Sequence, residues 1–186
     1  MTLERSLTPD VLLRVATLDD AAAIAAAQVR NRDHLAPWEP VRSEQWFTAA
    51  GQAERLQGQL ERHMLGQVVP WLMMSGDRVV GAATLTDIVP GPFRSSSLGY
   101  WVDVEVLGRG LATKAVQAVA ELADTALRLH RIEASTLTDN LASQRVLKKC
   151  GFAQIGSAPD YLHIAGAWRD CHLYQRILNN RAPGEA

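Results

Sequence analysis

The chain has 186 residues, 47% of them hydrophobic, with 19 basic against 20 acidic side chains, so it can bury one sizeable core and projects no overall field toward nucleic acid or a membrane surface. The opening MTLERSLTPD lacks the apolar centre of a secretory signal and no apolar run nears the roughly 20 residues that span a bilayer, which gives the expectation of a soluble cytoplasmic protein. Cys150 and Cys171 are too few for a disulfide framework and read as small buried hydrophobes, and the five scattered histidines, without CxxC or HExxH spacing, give no metal site.

In chain order, residues 1–10 read as an N-terminal segment, 11–178 as a single domain and NNRAPGEA, 179–186, as a disordered tail. VLLRVAT is a strand, followed by a helix over 19–30 that Thr17 and Asp20 open with the spacing of a capping box. NRDHLAPWEP interrupts with Pro37 and Pro40, and a second helix follows over 44–65, weakened by Gly51 and Gly58. QVVPWLMMS, RVVGAATLTDIV and SSLGYWVDV form an antiparallel meander with turns at Gly76-Asp77 and at Pro90, Gly91 and Pro92. Apolar residues at 112, 115, 116, 119, 123, 126 and 127 give the helix over 110–129 one buried face. RIEASTL is the next strand. A short helix over 140–150 stops at Gly151, and strands near Phe152 and in WRDCHLYQRI close the chain.

The stretch LGRGLAT, 107–113, lies where the meander turns into the long helix. A glycine-rich strand-to-helix turn leaves the first helical N–H groups unpaired with the positive end of the helix dipole behind them, which suits an anion. Gly108 and Gly110 let a phosphate approach the main chain, and Arg109 adds charge from the side. A tight turn without any ligand is the alternative reading of a lone GxG.

Together with its surroundings, the motif resembles the acetyl-CoA signature of the GNAT N-acetyltransferases, especially the RimJ/RimL group. It runs Leu107, Gly108, Arg109, Gly110, Leu111, Ala112, with Leu107 where the family has Gln or Arg. The preceding YWVDVEV resembles the family's strand, with Val104 where a proline is common, and TLTDNLASQRVLKKCGF matches a second signature through Asn140, Ser143, Gly151 and Phe152. NRDHLAPWEP and YLHIAGAWRDCHLY also look like segments of RimJ-type proteins.

The resemblance implies an α/β (α+β) domain, a mixed sheet of roughly six to seven strands with about four helices. Its central strands, carrying Trp101 and Glu133, would run parallel and splay apart. Acetyl-CoA would enter the wedge, its pantetheine along the main chain of Val102 and Val104 and against Asn140, its pyrophosphate on the N–H groups from Gly108 to Thr113. The implied reaction is direct attack of a neutral amine on the thioester, with no metal. Ser143 is the candidate thiolate partner, or a helix cap; Glu133 a proton relay through water, or a half-exposed strand glutamate sharing a face with Ser135; Tyr100 an alternative acid in the acceptor pocket, or core packing. His34, Trp38 and Glu39 would line an acceptor groove, the alternative being that Trp38 plugs the core and Glu39 is solvated. The implied acceptor is a protein or peptide N-terminal amine, with a ribosomal protein leading, on a monomer or homodimer. A small-molecule amine acetyltransferase, such as an antibiotic or polyamine modifier, and a non-catalytic acyl-CoA sensor are the competing readings.

Overall fold

The computed structural model describes residues 3–183. Its strands are β1 Arg5–Thr8, β2 Val11–Val15, β3 Val69–Ser75, β4 Arg78–Val89, β5 Ser95–Val102, β6 Arg131–Leu137, β7 Ala153–Ile164 and β8 Ala167–Ile177. They form one sheet in the order β1-β2-β3-β4-β5-β6-β8-β7, antiparallel throughout except where β5 meets β6. The helices are α1 Ala21–Arg30, α2 Arg32–Leu35, α3 Ala49–Met64, α4 Leu111–Thr125 and α5 Leu141–Lys149. The mixed α/β class agrees with expectation, but the strand and helix numbers run higher. One addition is β1, which pairs with β2 inside the segment read as preceding the fold, with Leu7 its buried contact. The other is the single turn α2 within NRDHLAPWEP.

Two apolar layers sandwich the sheet. On one face α4 buries Leu111, Val116, Val119 and Leu122 together with Trp71, Leu85, Ile132 and Tyr174. On the other, Ile24 and Ala27 of α1 and Leu56 of α3 pack with Leu72, Met74 and Val79. No helix among the described residues is long and apolar enough to cross a membrane.

Several boundaries differ from the periodicity, each for a local reason. The helix expected over 44–65 is broken at Thr48, whose extended backbone separates a 3-10 turn, Glu44–Phe47, from α3. Thr48 Oγ1 accepts the Gly51 N–H at 3.0 Å, and a Cβ on Gly51 would lie 2.0 Å from the Gln45 carbonyl oxygen. Gly51 therefore permits the break. The helix expected to reach 129 ends at Thr125, before Arg128 turns to φ 58°. β7 and β8 form a long hairpin whose tip, Ala165 and Gly166, has φ of 51° and 83°, the sign a two-residue turn of primed type requires. The supposed disordered tail begins with anchored residues: Asn179 Nδ2 donates to Asp124 Oδ1 at 2.7 Å and Arg181 pairs with the same carboxylate, while 184–186 lie outside the described residues.

One buried carboxylate ties α1 to the end of β5. Asp103 is fully buried and accepts from Arg30 Nε at 2.7 Å and Nη2 at 2.5 Å, while Arg30 Nη2 also donates to the Val79 carbonyl at 2.9 Å. Burial alone would raise the Asp103 pKa; the bonds from Arg30 and the Glu105 N–H outweigh it and hold the carboxyl below its ordinary value. Asp103→Ala is expected to cost about 2–3 kcal/mol by stranding the arginine. Because the native pKa is depressed, this contribution is present above about pH 4 and lost as acid protonates the group, so thermal melts of parent and variant should converge in acid.

Candidate active site

The site begins where two strands part. β5 and β6 pair only at Ser95 with Arg131, Ser96 with Ile132 and Ser97 with Glu133. Beyond that, β5 stays on β4 as far as Val102 and β6 stays on β8 as far as Leu137, so a wedge opens between them. The Asp103 N–H donates to the Val80 carbonyl at 3.0 Å. By strand alternation Trp101 then faces β4, and the main-chain groups of Tyr100 and Val102 face the wedge. Val102 fits the expected docking edge. Val104 does not: the strand has ended, and its N–H already donates to Asn31 Oδ1 at 2.7 Å.

At the mouth of the wedge lies LGRGLAT. Gly108 and Gly110 hold φ of 76° and 74°, and Gly110 is the N-cap of α4 with no side chain bonded to the helix start. The first-turn N–H groups therefore lack a side-chain acceptor, as a phosphate cradle requires. They line a cleft of about 450 Å³ to which Leu107, Gly108, Gly110, Leu111, Ala112 and Thr113 all contribute. Arg109 is exposed and outside the lining; cations enter the cleft from Arg145 and Lys149 of α5 instead. The sequence reading missed this pair, although its i, i+4 spacing puts both on one helix face.

Across the cleft, α5 starts at Asn140, whose Oδ1 accepts the Ser143 N–H at 3.0 Å. Asn140 is thus the cap, and the Ser143 hydroxyl is available for another bond. That bond is to Tyr100: the two hydroxyl oxygens lie 2.8 Å apart, and both residues line the cleft. Burial pushes the Tyr100 pKa up to about 12 against the opposing Ser143 hydrogen bond, so this phenol stays protonated at neutral pH.

His34, Trp38 and Glu39 close the cleft on the α2 side. The Glu39 carbonyl accepts the Ala165 N–H at 3.0 Å, which pins the proline-bounded loop to the β7–β8 tip. Trp38 is 37% exposed, so it is not a core plug, and the Glu39 carboxylate is 3.3 Å from Arg42 rather than simply solvated. Glu133 departs from expectation. It shares a face with Ser135 as alternation required, but it sits in the paired region below the wedge, 2.8 Å from Arg131, and does not line the cleft. It stands at the last β5–β6 pair, opposite Ser97, and so has no direct contact with the cleft.

The helix start with no side-chain cap, the left-handed glycines and the two cations suit an anion, and the open strand edge beside them suits an extended ligand. Residues 10–153 match the family described as Acetyltransferase (GNAT) domain, and the chain belongs to that family as an N-acetyltransferase. It is 33% identical over 182 residues to the [Ribosomal protein uS5]-alanine N-acetyltransferase of Escherichia coli K12, covering 97% of this chain and 94% of that one. Among solved structures, the ribosomal-protein-S5-alanine acetyltransferase of Vibrio fischeri superposes with a TM-score of 0.91 at 33% identity, covering 95% of this chain and 97% of that one. Mycobacterium smegmatis RimJ, solved in complex with CoA-disulfide, gives 0.85 at 32% identity, covering 90% and 81%.

Calorimetric titration with acetyl-CoA checks the cradle. Gly110→Val forces a β-branched residue into a left-handed backbone and should weaken binding by tenfold or more. Arg145→Ala should weaken it by about three- to tenfold and Arg109→Ala by less.

Proposed function

We propose that this chain transfers the acetyl group of acetyl-CoA to the N-terminal α-amine of a protein in the cytoplasm, with a ribosomal protein the leading acceptor. One observation carries the chemistry: the Ser143 and Tyr100 hydroxyls are hydrogen-bonded at 2.8 Å, and Tyr100 belongs both to the donor cleft and to a second cavity beside it. The acceptor class is supported by the likeness to the uS5-alanine enzymes over nearly the whole of both chains.

Acetyl-CoA supplies a thioester carbonyl that a neutral amine attacks directly; the C–N bond forms, the C–S bond breaks, and the amine proton leaves to solvent. The cradle N–H groups, Arg145 and Lys149 bind the diphosphate end, and the Tyr100 and Val102 main chain orients the carrier arm. Ser143 Oγ donates toward the departing sulfur, and Tyr100, held protonated by burial, donates to Ser143 in turn. Glu39 and the Trp38 ring attract the incoming ammonium before it deprotonates.

Ser143→Ala and Tyr100→Phe should each lower kcat by about 10²-fold with little change in the KM for acetyl-CoA, and the double variant should lose little more, because the two hydroxyls act as one donor chain. Below about pH 10, the ordinary tyrosine value, kcat should show no fall from loss of the Tyr100 proton. Trp38→Ala and Glu39→Ala should raise the KM for a peptide amine and leave acetyl-CoA binding intact. Faster turnover of polyamines or aminoglycosides than of every N-terminal peptide would replace the protein acceptor with a small-molecule one.

A further inference from the structure

The second cavity, about 330 Å³, shares Trp38, Glu39, Tyr100 and Trp101 with the donor cleft and runs on between α1, α3 and strands β3 to β5. Its lining mixes apolar and aromatic side chains with polar ones, and its charged members are Glu39, Arg42 and Arg55. Glu39 and Arg42 offset one another at 3.3 Å. Arg55 has no such partner: among the described residues it forms no ion pair with any carboxylate. Its Nε donates to Gln52 Oε1 and its Nη1 to Gln59 Oε1, each at 2.8 Å, both neutral amides. Nη2 has no hydrogen-bond partner among the described residues.

The surroundings hold this guanidinium in place. Gln52 is fully buried and donates to the Trp46 carbonyl at 2.5 Å, and Trp46 Nε1 donates to Gln28 Oε1 at 2.9 Å. The Trp46 ring is 3.7 Å from the Arg42 guanidinium and 5.2 Å from that of Arg55, so two cations lie against one aromatic ring. Burial, and then the nearby Arg42, lower the Arg55 pKa, and the Glu39 carboxylate, already paired with Arg42, offsets them only in part. A partly desolvated cation with no carboxylate in ion-pair contact is costly, and an entering anion relieves that cost. The planar fork of arginine suits a carboxylate, which accepts from it in two-pronged fashion.

We propose that Arg55, with Arg42 beside it, forms a carboxylate subsite in the acceptor pocket, so that the enzyme selects amines carrying an acidic group within the first few residues of the acceptor. This rests on the reading of the second cavity as the entrance for a peptide N-terminus. The carboxylate is an Asp or Glu side chain next to the reacting residue; the α-carboxylate of a free amino acid offers the same chemistry and is separated from it by the test.

The test compares kcat/KM, by thiol release from acetyl-CoA, for peptides that differ only by Glu or Gln at the second or third residue. The acidic member should be favoured by about tenfold or more at low salt, with the preference shrinking as salt is added. Arg55→Gln should bring the ratio to within about twofold, and Arg55→Lys should retain part of it, with the acetyl-CoA KM unchanged in both. If Arg55→Gln fails to fold, the parent's Glu-to-Gln ratio, its salt dependence and the Arg55→Lys variant decide. Equal rates for the Glu and Gln peptides, or a ratio that Arg55→Gln leaves intact, overturns the subsite while the N-terminal peptide reading stands. If peptides are inert and free amino acids outpace their amides in an Arg55-dependent way, the subsite stands and the peptide reading falls.

Discussion

Two neighbouring strands that stop pairing after three residues leave a row of main-chain donors and acceptors with no partner in the chain. Such groups are expensive to bury and readily satisfied by an extended ligand that adds itself as a strand. Here β5 and β6 each keep their outer neighbours, so the gap is held open by the sheet rather than by loops. The glycine turn, α4 and α5 are then fixed around a space whose shape the strands impose.

The two halves of the site are mechanically joined. Asp103 directly follows β5 and binds Arg30 of α1, while Asn31 takes the Val104 N–H just ahead of the cradle. The helix that borders the second cavity and the segment leading to the glycine turn therefore meet at one buried carboxylate, which the half-exposed Arg78, paired with Glu105, also reaches. Between the halves, Tyr100 lines both cavities and bonds Ser143. Burial keeps the Tyr100 phenol neutral, so the hydroxyl pair brings no charge to the place where the two cavities meet.

What the sequence made legible was local. Gly108 and Gly110 announced left-handed backbone at a strand-to-helix turn, and Asn140 and Ser143 announced a helix start, because each depends on neighbours within a few residues. The family resemblance supplied the splay. What it could not supply was the height at which the strands part: alternation put Glu133 on the correct face, but only the register with Ser97 shows that it lies below the wedge. Tyr100 and Ser143 meet across 43 residues, and Arg55 and Trp46 are brought together by a break at Thr48 that helical periodicity ran straight through. Arg145 and Lys149 had helical spacing, but which way that face pointed was a tertiary matter.

Amide hydrogen exchange with and without acetyl-CoA tests the wedge most directly. The account predicts new protection at the N–H groups of Leu111 to Thr113 and of Tyr100 and Val102, with no change at Ser95 to Ser97, where the strands are already paired. Protection confined to other elements, with these amides exchanging as in the free protein, would contradict it.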